Sequence, residues 1–246
     1  MNLETYDSPQ ELAEAAARAF VEGAASAIAE RGRFAVVLAG GSTPKATYEV
    51  LARNHSGDVD WPNVHAFFGD ERTVPPDHED SNYRMAREAL LSHVPVGGIH
   101  RMRGELPPAQ AAAAYEEELR GFFGASDEPP SFELVLLGIG EDGHTASLFP
   151  NTPALDLTDR WVAANPVGKL DTVRLTLTVS AINAARATRF LVAGKDKALA
   201  LKEILEGDAD PREYPAKLVR SASGPAVWMV DRAAAGSLEK SLEKPC

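Results

Sequence analysis

Short apolar runs alternate along this chain with longer segments of helical periodicity, and that alternation limits the folds open to it more than any other feature. Strands are predicted at residues 34–39, 64–68, 134–138, 174–179, 189–193 and 226–230. The runs are too short for helices and rich in Val, Leu and Phe, as in strands buried on both faces. Between them the pattern predicts helices. The first has Ser8 as N-cap, Pro9 at its first position and Glu11 closing a capping box, and continues alanine-rich to Glu30. Others are expected at 44–54, 82–92, 108–123, 196–206 and 213–219. Strand followed by helix, repeated, gives an α/β fold with a mostly parallel sheet and helices on its faces. The segment 124–131, with two prolines and two acids, reads as a surface loop and is too short to link domains, so residues 1–246 are expected to form a single domain.

Composition narrows the function. Apolar residues make up 44% of the chain and charged residues 25%, which fits a globular protein and excludes disordered and fibrous classes. The formal net charge of −11 argues against nucleic acid and anionic membrane surfaces as partners, so an anionic ligand needs a local cluster of donors. The lone cysteine is Cys246, which leaves no disulfide framework and no cysteine metal site and suggests a reducing, cytoplasmic setting. Residues 1–10 carry two acids and no apolar core, so no signal peptide is expected, and no apolar run reaches membrane-spanning length.

Three strand tips carry chemistry. At the first, Gly40-Gly41-Ser42-Thr43-Pro44 follows the strand at 34–39. Glycines expose backbone N–H groups, Ser42 and Thr43 add hydroxyls, and a helix with Thr43 as N-cap and Pro44 at its first position supplies partial positive charge. The combination suits a phosphate, and an ordinary helix-capping turn has the same composition. It is neither a Walker loop nor a dinucleotide fingerprint. At the second tip, Asp70-Glu71-Arg72 stand where the sheet meets solvent. Asp70 is a candidate to orient a base or bind a hydroxyl, and Arg72 to pair with a phosphate or carboxylate; a solvated charged turn is the bland alternative. Asp80-Ser81-Asn82 is expected to cap the next helix.

The third tip, Gly138-Ile139-Gly140-Glu141-Asp142-Gly143-His144, brings a histidine into a glycine turn beside two carboxylates. Ligands bind at strand tips of open α/β sheets, so His144 is the candidate general base. His55, His65, His78, His93 and His100 lack metal-ligand spacing, and no metal site is expected. No nucleophile elbow surrounds Ser42 or Ser147, which leaves water as the nucleophile. Arg174 and Lys197 are further candidate cations for an anionic ligand; a cation in the first turn of a helix opposes the macrodipole unless an anion lies near.

These segments, together with Thr73-Val74-Pro75, Thr145-Ala146-Ser147-Leu148-Phe149-Pro150, Arg174-Leu175-Thr176-Leu177-Thr178 and Gly194-Lys195-Asp196-Lys197-Ala198, resemble the 6-phosphogluconolactonase family over nearly the whole chain. Two departures stand out: Asn151 occupies a position where the family leads one to expect glycine, and residues 167–173 lack a proline-rich approach to Arg174. The resemblance implies a Rossmann-like sheet with helices on both faces, hydrolysis of 6-phospho-D-glucono-1,5-lactone, no cofactor and a small-molecule partner. It implies that Gly40, Gly41, Ser42, Thr43, Arg174 and Lys197 hold the phosphate while His144 activates water. Asp70 and Asp142 both remain candidates to fix the imidazole tautomer, and Arg72 and the glycine-turn N–H groups to stabilise the oxyanion. Sugar-phosphate isomerases and deaminases share the phosphate loop and Asp142-Gly143-His144, but Arg72 replaces the tyrosine of their Asp-Glu-Tyr segment. A sugar-phosphate sensor would need a DNA-binding helix-turn-helix, for which the N-terminal segment leaves no room.

Overall fold

The computed structural model describes residues 2–124, 128–222 and 224–239, so Cys246 and part of the loop at 124–131 lie outside the described residues. In chain order the elements are β1 (Asn2–Tyr6), α1 (Pro9–Arg31), β2 (Phe34–Leu38), α2 (Ser42–Asn54), β3 (Val64–Phe68) and β4 (Asp70–Arg72). Next come α3 (Asn82–Ala86), β5 (Gly98–Ile99), α4 (Pro108–Phe123), β6 (Leu134–Leu137), β7 (Val162–Val167) and β8 (Thr172–Leu177). The chain continues through α5 (Val179–Asn183), β9 (Thr188–Val192), α6 (Ala198–Glu206), β10 (Val227–Asp231) and α7 (Arg232–Ala235). Seven strands form one sheet in the order β1-β10-β9-β6-β2-β3-β5, and every pairing in it is parallel.

Side-chain alternation sorts the central strands onto two cores. Phe34, Val36 and Leu38 of β2, with Val64, Ala66 and Phe68 of β3, pack under the alanine-rich face of α1 and under α2. Ala35, Val37 and Phe67 face the other way, toward α4, α5 and α6. Both faces of the sheet are therefore covered, which is why its central strands read as unbroken apolar runs. The N-terminus of α1 closes as its sequence suggests: Ser8 Oγ accepts from the Glu11 N–H at 3.2 Å, and Glu11 accepts from the Asp7 N–H at 3.0 Å.

Several elements differ from expectation. A second, antiparallel sheet of order β4-β8-β7 lies beside the main one, and the sequence reading contains neither β4 nor β7. Edge strand β1 and the two-residue β5 are likewise absent from the predicted strands; neither has a continuous apolar run. Strand β8 ends at Leu177 rather than Val179, because the Thr178 hydroxyl accepts from the Ala181 N–H and starts α5. Helix α2 begins at Ser42 with Gly41 as its N-cap, so Thr43 is a helical residue and caps nothing. The segment expected as a helix at 213–219 is a 3-10 turn, Pro215–Leu218.

The chain order reverses between β2 and β6. From β2 it steps outward to β3 and then β5, and from β6 it steps the other way to β9 and β10. Their C-terminal tips splay apart into a crevice, the usual ligand position in such sheets. Backbone leaving the strand tips needs other partners, and two fully buried tyrosines supply them, one at β2 beside the crevice and one at the neighbouring β3. The Tyr48 hydroxyl of α2 accepts from the Ala39 N–H at 2.8 Å and donates to the Ala39 carbonyl at 3.0 Å. The Tyr115 hydroxyl of α4 does the same for Phe68, at 2.9 and 3.1 Å, from the opposite face of the sheet. We expect Tyr48→Phe and Tyr115→Phe each to lower the unfolding free energy by about 1–3 kcal/mol, because each leaves a buried N–H and a buried carbonyl unpaired. Urea unfolding checks this, and a loss under about 0.5 kcal/mol would show the tips paired without the hydroxyls.

Candidate active site

The β6 tip turns back on itself through backbone bonds from the Gly140 N–H to the His144 carbonyl, 2.8 Å, and from the Gly143 N–H to the Gly140 carbonyl, 3.0 Å. A Cβ on Gly140 would lie 2.1 Å from His144 Nδ1, so the imidazole fits only against a bare backbone. His144 Nδ1 stands 2.5 Å from Asp142 Oδ1, which also accepts the His144 backbone N–H at 3.2 Å. An ionised carboxylate only accepts, so Nδ1 carries the ring proton and Nε2 keeps a lone pair. Nε2 has no protein partner among the described residues. Phe149 stacks on the ring with centroids 4.1 Å apart. The segment that follows is irregular rather than a helix that His144 would cap: Ala146 and Asn151 adopt φ of 47° and 56°. Asparagine tolerates the left-handed region, which explains how Asn151 serves where glycine was expected.

Burial pushes the His144 pKa down to about 4; the Asp70 carboxylate opposes this, and Lys197, Arg174 and Arg72 push it further down. Since this lies below the ordinary histidine value, the ring is neutral at pH 7 and gains its charge only as pH falls through about 4. Asp70 does not bond the ring. Its Oδ2 accepts from Ser147 Oγ at 2.6 Å, and its Oδ1 accepts from Asn82 Nδ2 at 3.1 Å. Asp142 is therefore the carboxylate that orients His144, and Asp70 anchors the turn on which Ser147 sits. Asn82, expected only at a helix start, also reaches the Asp70 carbonyl at 3.0 Å.

Glu71 points inward instead of into solvent. Its carboxylate accepts from the backbone N–H groups of Arg72, Asn82 and Tyr83, each at 2.8 Å, and from Ser81 Oγ at 3.0 Å. It thus caps α3. Burial raises its pKa while the backbone bonds oppose the rise.

Arg72 and Arg174 sit directly opposite one another in the antiparallel pairing of β4 with β8. Like charges so placed repel unless an anion lies between or near them. Burial lowers the Arg174 pKa, with Arg72 adding to the effect, and its Nε is buried without a hydrogen-bond partner. Arg72 has donated one of its N–H groups to the Asp80 carbonyl. Both arginines line a cleft of about 390 Å³ together with Gly40, Gly41, Lys197 and His144. Gly41 holds φ at 100°, which turns the chain into α2. Ser42 and Thr43 occupy the first turn of α2 and are not among the residues lining the cleft.

The cleft also receives Lys169 and Leu170, from the 3-10 turn joining β7 to β8. Sequence reasoning missed both because it missed the hairpin. His65, hydrogen-bonded to His100 at 3.2 Å, and the remaining histidines lie outside the lining. Among the described residues no group of three or more His, Cys, Asp or Glu side chains is placed to hold a metal.

Comparison with known proteins places this arrangement. The family model described as glucosamine-6-phosphate isomerases/6-phosphogluconolactonase matches residues 7–228. A 6-phosphogluconolactonase of Synechocystis is 48% identical, the match covering 86% of this chain and 88% of that protein. The human 6-phosphogluconolactonase is 38% identical, with coverage of 98% and 95%. The solved structure of 6-phosphogluconolactonase from Trypanosoma brucei superposes with a TM-score of 0.84 at 32% identity, covering 96% of this chain and 98% of that one. The chain belongs to the glucosamine-6-phosphate isomerase/6-phosphogluconolactonase family.

Proposed function

We propose that the chain hydrolyses 6-phospho-D-glucono-1,5-lactone to 6-phospho-D-gluconate, with His144 as general base. The observation that carries this reading is an imidazole with Nδ1 held by Asp142 and Nε2 without a partner among the described residues, in the same cleft as the buried, unpartnered Arg174 Nε. The relatives named 6-phosphogluconolactonase support it. Residues 1–246 act as one catalytic unit, supported by β1 pairing with β10, which joins both ends of the described chain in one sheet. The acidic charge and single cysteine support a cytoplasmic setting.

The phosphate binds among the Gly40 and Gly41 backbone, Arg174 and Lys197, with Ser42 and Thr43 contributing the helix start rather than lining groups. Its negative charge relieves the repulsion between Arg72 and Arg174. With the lactone fixed, His144 Nε2 takes a proton from water and the oxygen of that water bonds to the ring carbonyl carbon. Negative charge then develops on the carbonyl oxygen. The Gly140 and Gly143 N–H groups are spent on the turn's own carbonyls, which favours Arg72 as the group that stabilises it. As the intermediate collapses, the bond from the carbonyl carbon to the ring oxygen breaks and the imidazolium returns its proton to that oxygen. Asp142 keeps the Nε2 edge of the ring turned to the substrate in both steps.

His144→Ala should lower kcat on freshly prepared lactone by about a hundredfold or more while leaving the affinity for 6-phosphogluconate near wild type. A folded variant that kept a near-normal rate above spontaneous hydrolysis would remove His144 from the base role. Arg174→Met should act mainly on KM, raising it about tenfold or more, because it removes charge from the anchored end of the substrate. A fall in kcat at unchanged KM would place Arg174 at the reacting carbonyl instead.

A further inference from the structure

The carboxylate that orients His144 carries a conflict. As a hydrogen-bond acceptor it fixes the Nδ1–H tautomer, yet as a negative charge beside the ring it favours the imidazolium, which has no lone pair to offer water. A general base needs the first effect without the second.

Lys169 resolves the conflict in the geometry. Its ammonium meets Asp142 Oδ2, the oxygen not used by the imidazole. It also lies 4.9 Å from the centre of the Phe149 ring, which in turn stacks on His144 at 4.1 Å. Lysine, carboxylate, imidazole and phenyl thus form one closed cluster. Two cleft-lining residues, Lys169 and Leu170, sit on the β7–β8 turn, which the left-handed Asp171, φ 46°, brings round. Asp70 and Arg72 from β4, Arg174 from β8 and Lys197 ahead of α6 also act on the charge of His144.

We propose that Lys169 is a positioning residue of this site: by neutralising Asp142 it lets that carboxylate orient His144 without drawing a proton onto the ring. The proposal rests on the reading of His144 as the base. Removing Lys169 takes away a positive charge and leaves Asp142 uncompensated. Both changes favour the imidazolium, so the midpoint at which His144 charges must rise.

The test is an NMR titration of His144 in the intact protein, which needs no turnover. Lys169→Met keeps the packing stem and removes the charge; His144 should then titrate about one pH unit higher than in wild type, while Lys169→Arg stays near the wild-type midpoint. In an Asp142→Asn background the same Lys169→Met change should move the midpoint by less than half as much, since its route through the carboxylate is gone. An unmoved midpoint in Lys169→Met overturns the proposal. So does an equal shift in the Asp142→Asn background, which would mean that Lys169 acts on the ring directly, by its charge or by keeping water away, and not through the carboxylate. Failure of the wild-type protein to hydrolyse the lactone would instead sink the proposed reaction, and it is read separately.

Discussion

The reversal of strand order between β2 and β6 is the constraint on which the rest of this molecule depends. Strands that part at their C-terminal ends expose backbone that no neighbouring strand can pair, and an unpaired buried peptide group costs as much as a lost hydrogen bond. Tyr48 closes the β2 end, the β6 tip closes itself through Gly140 and Gly143, and Tyr115 closes the neighbouring β3 end from the opposite face of the sheet. What remains open is a cleft lined in part by strand ends and by the backbone of Gly40, Gly41, Gly138 and Gly140.

Charge is arranged against the average of the chain. A protein with a net charge of −11 gathers Arg72, Arg174, Lys197 and Lys169 around one cleft. The acids near them are engaged: Asp70 by Ser147 and Asn82, Glu71 by the start of α3, Asp142 by His144 and Lys169, and Asp196 by Lys197. The opposition of Arg72 and Arg174 is unfavourable until an anion arrives, which converts part of the folding free energy into ligand affinity. The same cations, together with burial, hold the His144 pKa down, so under the proposed function an anion bound among them would also act on the imidazole.

How much of this was legible in the sequence follows from burial and from length. Strands β2, β3, β6, β9 and β10 are covered on both faces or nearly so, and their runs of Val, Leu and Phe announce them. Strand β4 is three charged residues, and β7 carries an asparagine and a proline, so neither has a pattern to read. With β7 unseen, its hairpin with β8 was unseen too, and Lys169 and Leu170 could not be placed near the cleft. The glycine turn at His144 was visible because a ring that close to backbone requires glycine. The choice between Asp70 and Asp142 was not visible, since it depends on which way a side chain turns. Glu71 looked like surface charge because a carboxylate that caps a helix eleven residues later leaves no local mark.

The central claim is that the fold holds His144 neutral, with its proton on Nδ1 and its Nε2 lone pair free for water. ¹⁵N NMR of the imidazole nitrogens in the ligand-free protein near pH 6.5 measures this directly, with His144→Gln as the assignment control. We expect one protonated nitrogen, Nδ1, and an Nε2 resonance typical of an unprotonated ring nitrogen. A proton on Nε2, alone or together with Nδ1, would contradict it.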